Sequence, residues 1–189
     1  MQKPKNYDET TVYNDTAKLE PGGHLLRILK VEETKSAAGK DMVIINVDTT
    51  KDDVQPQFYK QRFDTDTRQD KKWPGRIWQL VLDADGNTNR SFKAFITSVK
   101  ESNDGFEIKW SEDKNWGDQF KDKLVGGVFR REEYVNDKGK SAWAVKCMGF
   151  RSIETIKSGV DVPEDKPLKP GSSFDNVTVP APADDDYPF

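Results

Sequence analysis

Apolar and polar residues fall into a succession of short runs separated by turn formers, and most of the runs read as strands. Residues 1–20 are polar and read as an irregular arm, closed by the turn signal Glu20-Pro21-Gly22-Gly23. Residues 24–34, with Leu25, Leu26, Ile28, Leu29 and Val31, predict a first strand. Ser36-Ala37-Ala38-Gly39-Lys40 reads as a hairpin loop with Gly39 placed for a positive backbone angle. Residues 42–48 are apolar at nearly every position and predict a central strand. A third strand is expected over 57–64, with Phe58, Lys60 and Arg62 on one face and Tyr59, Gln61 and Phe63 on the other.

The pattern changes in the middle. Trp73-Pro74-Gly75 is a break, and residues 77–82 fit a short helix or a strand. Residues 91–101 have helical spacing in Phe92, Phe95, Ile96 and Val99, with Ser91 as the N-cap. The polar stretch 102–123 carries Trp110 and Trp116 and reads as a hairpin or lid. Strand signals return over 124–135, where Gly126-Gly127 suits a bulge or bend, and over 141–150 after the turn Asn136-Asp137-Lys138-Gly139.

Five strands with a helix-bearing insert between the third and fourth predict a mainly β fold. The arrangement matches a five-stranded OB-fold barrel, with an open antiparallel sheet crossed by a helix as the alternative. The expected organisation is an N-terminal arm over 1–20, a folded domain over 21–151 and a disordered tail over 152–189.

Charge separates the same regions. The 189-residue chain carries a net charge of −3, but residues 1–150 balance to +1 and residues 151–189 to −4. A nucleic-acid footprint would therefore have to be a local patch. A single cysteine, Cys147, excludes a disulfide framework and a multi-cysteine zinc site. No apolar run approaches the roughly 20 residues of a membrane span, and the first residues lack a signal-peptide core. A soluble, cytoplasmic protein is expected.

The end of the chain is its most specific feature. From Gly171 onward there is no lysine or arginine, and the last residues are Asp184-Asp185-Asp186-Tyr187-Pro188-Phe189. A polar, proline-punctuated stretch buries too little apolar surface to offset its ordering entropy and predicts disorder. Aromatics at the tip of such a tether read as a docking peptide, steered by carboxylates and anchored by Phe189; the plainer alternative is a solubilising acidic tail. The ending resembles the tip of bacterial single-stranded DNA-binding proteins, typically Asp-Asp-Asp-Ile-Pro-Phe, with Tyr187 replacing isoleucine. The resemblance implies that Asp184 to Phe189 recruit replication, recombination and repair enzymes while a separate domain holds DNA. Pro21-Gly22-Gly23-His24-Leu25-Leu26-Arg27-Ile28 and Gly39-Lys40-Asp41-Met42-Val43-Ile44 look like the opening hairpin of phage-encoded single-stranded DNA-binding proteins, which implies an OB-fold over about 20–150 and a role inside a bacterial host. The insert from Trp73 to Lys123 departs from the short bacterial form.

Sequence-tolerant binding of a single strand needs cations for phosphates and flat aromatic faces for bases. Candidates are Phe58, Lys60 and Arg62 on the expected third strand, Arg130, Arg131 and Tyr134 on the fourth and Lys146 on the fifth. Lys35 and Lys40 belong to the first hairpin, and Lys72, Trp73, Arg76 and Trp78 set cations beside indoles. Trp143, between alanines, is expected in the core, whereas Trp73, beside Lys72 and Pro74, is expected to be exposed. The small site of one barrel is compatible with a homodimer.

Enzymatic readings fail on spacing. Asp83 to Asn89 resembles a calcium loop, but its sixth and twelfth positions are Thr88 and Ala94 instead of glycine and glutamate. His24 is the only histidine and has no cysteine or second histidine as partner for metal or nucleophile chemistry. Asp48, Asp64 and Asp66 lie near expected strand ends, where aspartate also forms turns. Gly126-Gly127 lacks the lysine and hydroxyl of a phosphate loop. A non-catalytic, cofactor-free protein that binds single-stranded DNA and recruits partners is the expectation. An adaptor module without nucleic-acid binding is the alternative.

Overall fold

A computed structural model of the chain describes residues 2–5, 7, 18–112, 115–136 and 138–168. Five strands form one antiparallel sheet: β1 Gly22–Lys35, β2 Asp41–Thr49, β3 Arg76–Leu80, β4 Leu124–Val135 and β5 Ser141–Arg151. Their order across the sheet is β3-β2-β1-β4-β5, so β3 and β5 are its edges and the sheet is not closed between them. β1 is central and serves two neighbours. Its first part, from Gly22 to Arg27, pairs with β4, and the part from Leu26 to Lys35 pairs with β2. The register shifts between Ile28 and Lys30, which bends β1 where it passes from one partner to the other. Beyond that shared base two hairpins extend as arms: β1–β2, with β3 paired along the outer edge of β2, as far as the Ser36–Lys40 loop, and β4–β5 from Arg130 outward. Gly39 and Gly139 take φ of 75° and 70° in the two turns.

Alternation along the strands gives the sheet two faces. The inner face carries Ile28, Val31, Val43, Ile45, Val47, Val125 and Phe129, which join Phe150 and the helices in one core. Helix α2, Arg90–Ser102, buries Phe92, Phe95, Ile96 and Val99 there, and Phe95 packs on Phe150 at 4.9 Å between ring centroids. Its N-cap is Asn89, whose side chain accepts from Ser91 N at 2.9 Å. Ser91 had been the expected cap. Cys147 is half-buried against this core, and desolvation pushes its thiol up to about 12, so it stays protonated.

The run expected as a third strand is a helix, α1, Phe58–Thr65. Its own sequence supplies no cap, since Gln57 makes no side-chain capping bond. Instead Asp48 Oδ1, at the end of β2, accepts from Tyr59 N at 3.0 Å and Lys60 N at 3.3 Å, and Thr49 Oγ1 accepts from Phe58 N at 2.8 Å. Burial pushes the Asp48 carboxyl above its usual range against the opposing pull of those backbone N–H groups. Helical spacing then turns Phe58 and Tyr59 into the core, beside Arg62 and Phe63. The third strand is Arg76–Leu80, from the run that fitted either element.

Gly126-Gly127 provides space instead of a bulge: a Cβ on Gly126 would lie 2.3 Å from Ile156 of helix α3, Ile153–Lys157. The irregularity falls after Val128, where β5 carries an extra residue opposite β4. Order continues past residue 152, where a disordered tail was expected to begin. α3 packs on β4 and β1, and Glu132 and Lys166 form an isolated parallel bridge. No helix among the described residues is long and apolar enough to cross a membrane.

Candidate nucleic-acid interface

The outer face of the sheet gathers side chains that are distant in sequence. Register sets three rows across β1, β2 and β3: Thr34–Met42–Leu80, Glu32–Ile44–Trp78 and Lys30–Asn46–Arg76. The Arg76 guanidinium lies over the Trp78 ring at 5.8 Å, so a cation and an aromatic plane are held together on one short strand. Lys30 Nζ pairs with Glu32 Oε1 at 2.8 Å, and Asn46 Nδ2 donates to Glu32 Oε2 at 3.2 Å. The Lys30 bond pulls the Glu32 carboxyl below its usual range, and the nearby Arg76 charge adds to that.

Across the sheet, the outer positions of the β4–β5 arm are Arg130 opposite Lys146, Glu132 opposite Ala144 and Tyr134 opposite Ala142. Glu132 stands among three cations. Arg130 Nη2 reaches it at 2.6 Å, Lys166 Nζ at 3.6 Å and Lys146 Nζ at 3.8 Å. Partial burial pushes the Glu132 carboxyl up, but the Arg130 hydrogen bond and the Lys166, Arg130 and Lys146 charges pull it below its ordinary value. Three positive charges around one carboxylate leave the cluster net positive beside Tyr134, a combination suited to a phosphate next to a base.

Arg131 points to the opposite face. Its guanidinium pairs with Asp165 and lies over the Trp143 ring at 5.9 Å. Trp143, expected in the core, is 42% exposed, because the arm continues beyond the end of the hydrophobic core. The converse holds for Trp73, expected outside: it packs against the core and Phe63, and its Nε1 donates to Val47 O at 2.8 Å.

The other expected site residues separate by element. Phe58 is buried in the core, while Lys60 and Arg62 sit on α1 with Lys60 ion-paired to Asp64, so none of the three belongs to the strand surface proposed for them. Lys35 pairs with Asp41 at 2.6 Å at the end of the first arm, where Lys40 is exposed in the turn. Lys72 is exposed between α1 and β3. Asp184, Asp185, Asp186, Tyr187, Pro188 and Phe189 lie outside the described residues.

Three contributors escaped the sequence reading. Ile44 and Lys30 reach the outer face only through the register, because a run apolar at nearly every position does not show which of its side chains face out. Lys166 comes from a segment assigned to the tail. Trp110 is 67% exposed and stacks on buried Trp116 at 5.5 Å with a 15° interplanar angle, beside the 3-10 helix Trp116–Phe120 that packs on β1. Comparison of the sequence with protein-family models and with curated proteins finds no match in either.

Proposed function

We propose that this chain is a non-catalytic, sequence-tolerant single-stranded DNA-binding protein of OB-fold type. In this reading it acts in phage DNA replication, recombination or repair and recruits partner enzymes through its acidic end. The observation that carries the reading is the cluster of Arg130, Lys146 and Lys166 around Glu132, beside Tyr134 and on the same outer face as Arg76 and Trp78. Cations with adjacent aromatic planes on a sheet surface are what base stacking and phosphate tracking need. The OB-fold assignment is supported by the strand order, with β1 central, bent and shared, and by a helix placed between β3 and β4. A barrel requires β3 and β5 to meet at the remaining seam. The recruiting role rests on the sequence of the last six residues alone.

Bases stack on Trp78 and Tyr134 in this mechanism, and the arm cations hold the backbone. Glu132 keeps those cations in place before DNA arrives and is partly relieved of them afterwards. Tryptophan fluorescence, titrated with oligothymidine at low and high salt beside a matched duplex, tests it. Quenching by the single strand that weakens with salt, with little response to duplex, is the expected result. No response to either nucleic acid removes the reading in favour of a protein-binding adaptor.

A further inference from the structure

A second group of cations sits away from the outer face. Between the turn after β3 and the end of β5 lies an open concavity of about 700 Å³. Thr88 borders it on one side, the exposed stripe of α2 on another and Arg151 on the third. Arg90, Lys93 and Thr97 are spaced i, i+3 and i+7, so they line one face of α2, opposite the stripe of Phe92, Phe95, Ile96 and Val99 that enters the core. Arg151 brings the third cation from β5, its Nη1 fixed by donating to Phe150 O at 2.7 Å.

These cations differ in their company from the ion-paired cations of the arms. In the two arms Lys35, Arg130, Arg131 and Lys146 each have a carboxylate partner. On α2 itself Lys100 pairs with Glu107 at 2.7 Å. Among the described residues, Arg90, Lys93 and Arg151 have no carboxylate within ion-pairing distance and no acidic side chain lines the concavity. Like charges three residues apart on a helix destabilise it, and a third across the gap adds to the repulsion. The fold tolerates an arrangement that favours an external anion. Two guanidinium groups with a threonine hydroxyl beside them suit phosphate oxygens.

We propose that this concavity is a second phosphate-binding site for the same nucleic-acid strand, engaged after the outer face is filled. This rests on the proposed DNA-binding function. Geometry links the two sites. Arg151 follows Lys146 by five residues on β5, about 16 Å along a strand, and one fold of this type covers about 4–16 nucleotides. A short oligonucleotide occupies the arms alone, and a longer one continues around the open edge of β5 to α2.

The test uses the full chain with Arg90→Gln, Lys93→Gln and Arg151→Gln combined; all three side chains are exposed, and an unchanged Tm verifies folding. Binding of thymidine oligomers of about 6 and about 30 nucleotides, chosen around that site size, is measured across salt concentrations. The expected result is an unaltered short-oligomer affinity, a long-oligomer affinity at least about tenfold lower at low salt, and a salt slope reduced by about 2, near 0.7 for each lost single-strand contact. Equal behaviour of variant and wild type on both lengths overturns the second site, as does an equal loss on both. A variant that binds DNA more tightly, with the gain vanishing once residues 184–189 are removed, assigns the concavity to the acidic end instead. Wild-type protein that binds neither oligomer removes the DNA-binding reading itself.

Discussion

The base of the sheet and its two arms share strands but are built for opposite ends. At the base, β1 has partners on both sides, and His24 is 1% exposed. Its Nδ1 lies 2.9 Å from Asp53 Oδ1 and its Nε2 2.9 Å from Glu20 O, so both ring nitrogens face acceptors and the imidazolium is the form that satisfies them. Asp53 also accepts from Leu25 N and Gln55 N. This ties the turn before β1, β1 itself and the loop after β2 into one unit. Few of its parts can move alone. In the β4–β5 arm each strand has the other as its strand partner, joined only by the short strap of residues 165–168, side chains are half-exposed, and charges are paired at the surface, where pairing contributes little to stability. The base therefore sets stability and the arms are free to carry recognition.

The largest expected effect breaks the base. His24→Ala leaves Asp53 buried and short of a partner and costs about 3 kcal/mol, read as a large drop in the chemical-denaturation midpoint. Trp143→Ala on the arm, as the control, shifts that midpoint less because the indole is 42% exposed and lies beyond the end of the core. An equal effect of the two substitutions would abolish the distinction.

Next comes the aromatic plane of the outer face. Trp78→Ala is expected to weaken single-strand binding by about 1–3 kcal/mol, the range for one stacked base, with an almost unchanged Tm. A variant that unfolds instead would place Trp78 with the base.

The base also titrates. Burial lowers the His24 pKa, but the Asp53 hydrogen bond and charge and the Glu20 carbonyl outweigh it, so the value rises above the ordinary 6.5. Stability from protonated His24 is therefore fully present below pH 6.5 and is lost as pH climbs through the raised value. Denaturation midpoints should fall across that window in the wild type. In a His24→Asn variant the dependence should disappear, with a pH-insensitive wild type as the contrary result.

The smallest effect concerns the strap. Lys166 N donates to Arg131 O and Glu133 N to Lys166 O, both at 2.9 Å, and Asp165 neutralises Arg131 at the exposed surface. Asp165→Asn should leave Tm unaltered and raise low-salt DNA affinity by less than about fivefold, the scale of one exposed pair. A fall in affinity would mean that the strap orders the arm for binding.

Much of this was legible in the chain. The four long strands and α2 follow from short apolar runs bounded by turn residues, from a helical stripe at Phe92, Phe95, Ile96 and Val99, and from turns with glycine at positive φ. Each signal depends only on residues close in sequence. The same local logic misread 57–64, because an alternating run becomes a helix once Asp48 and Thr49 cap it from β2. It also misplaced Trp73 and Trp143, whose burial depends on where the core ends and not on which residues flank them.

By itself, then, the sequence determined a mainly β chain with one long amphipathic helix, a near-neutral body and an acidic end, since composition and periodicity act locally. Tertiary structure alone decided the rest. Register across β1, β2 and β3 aligned Lys30 with Arg76 and Ile44 with Trp78. The return of residues 165–168 brought Lys166 to Glu132. The packing of α2 beside the end of β5 set around one concavity three cations that have no carboxylate partner among the described residues. Each depends on residues tens of positions apart meeting in space, and short-range patterning carries no record of such a meeting.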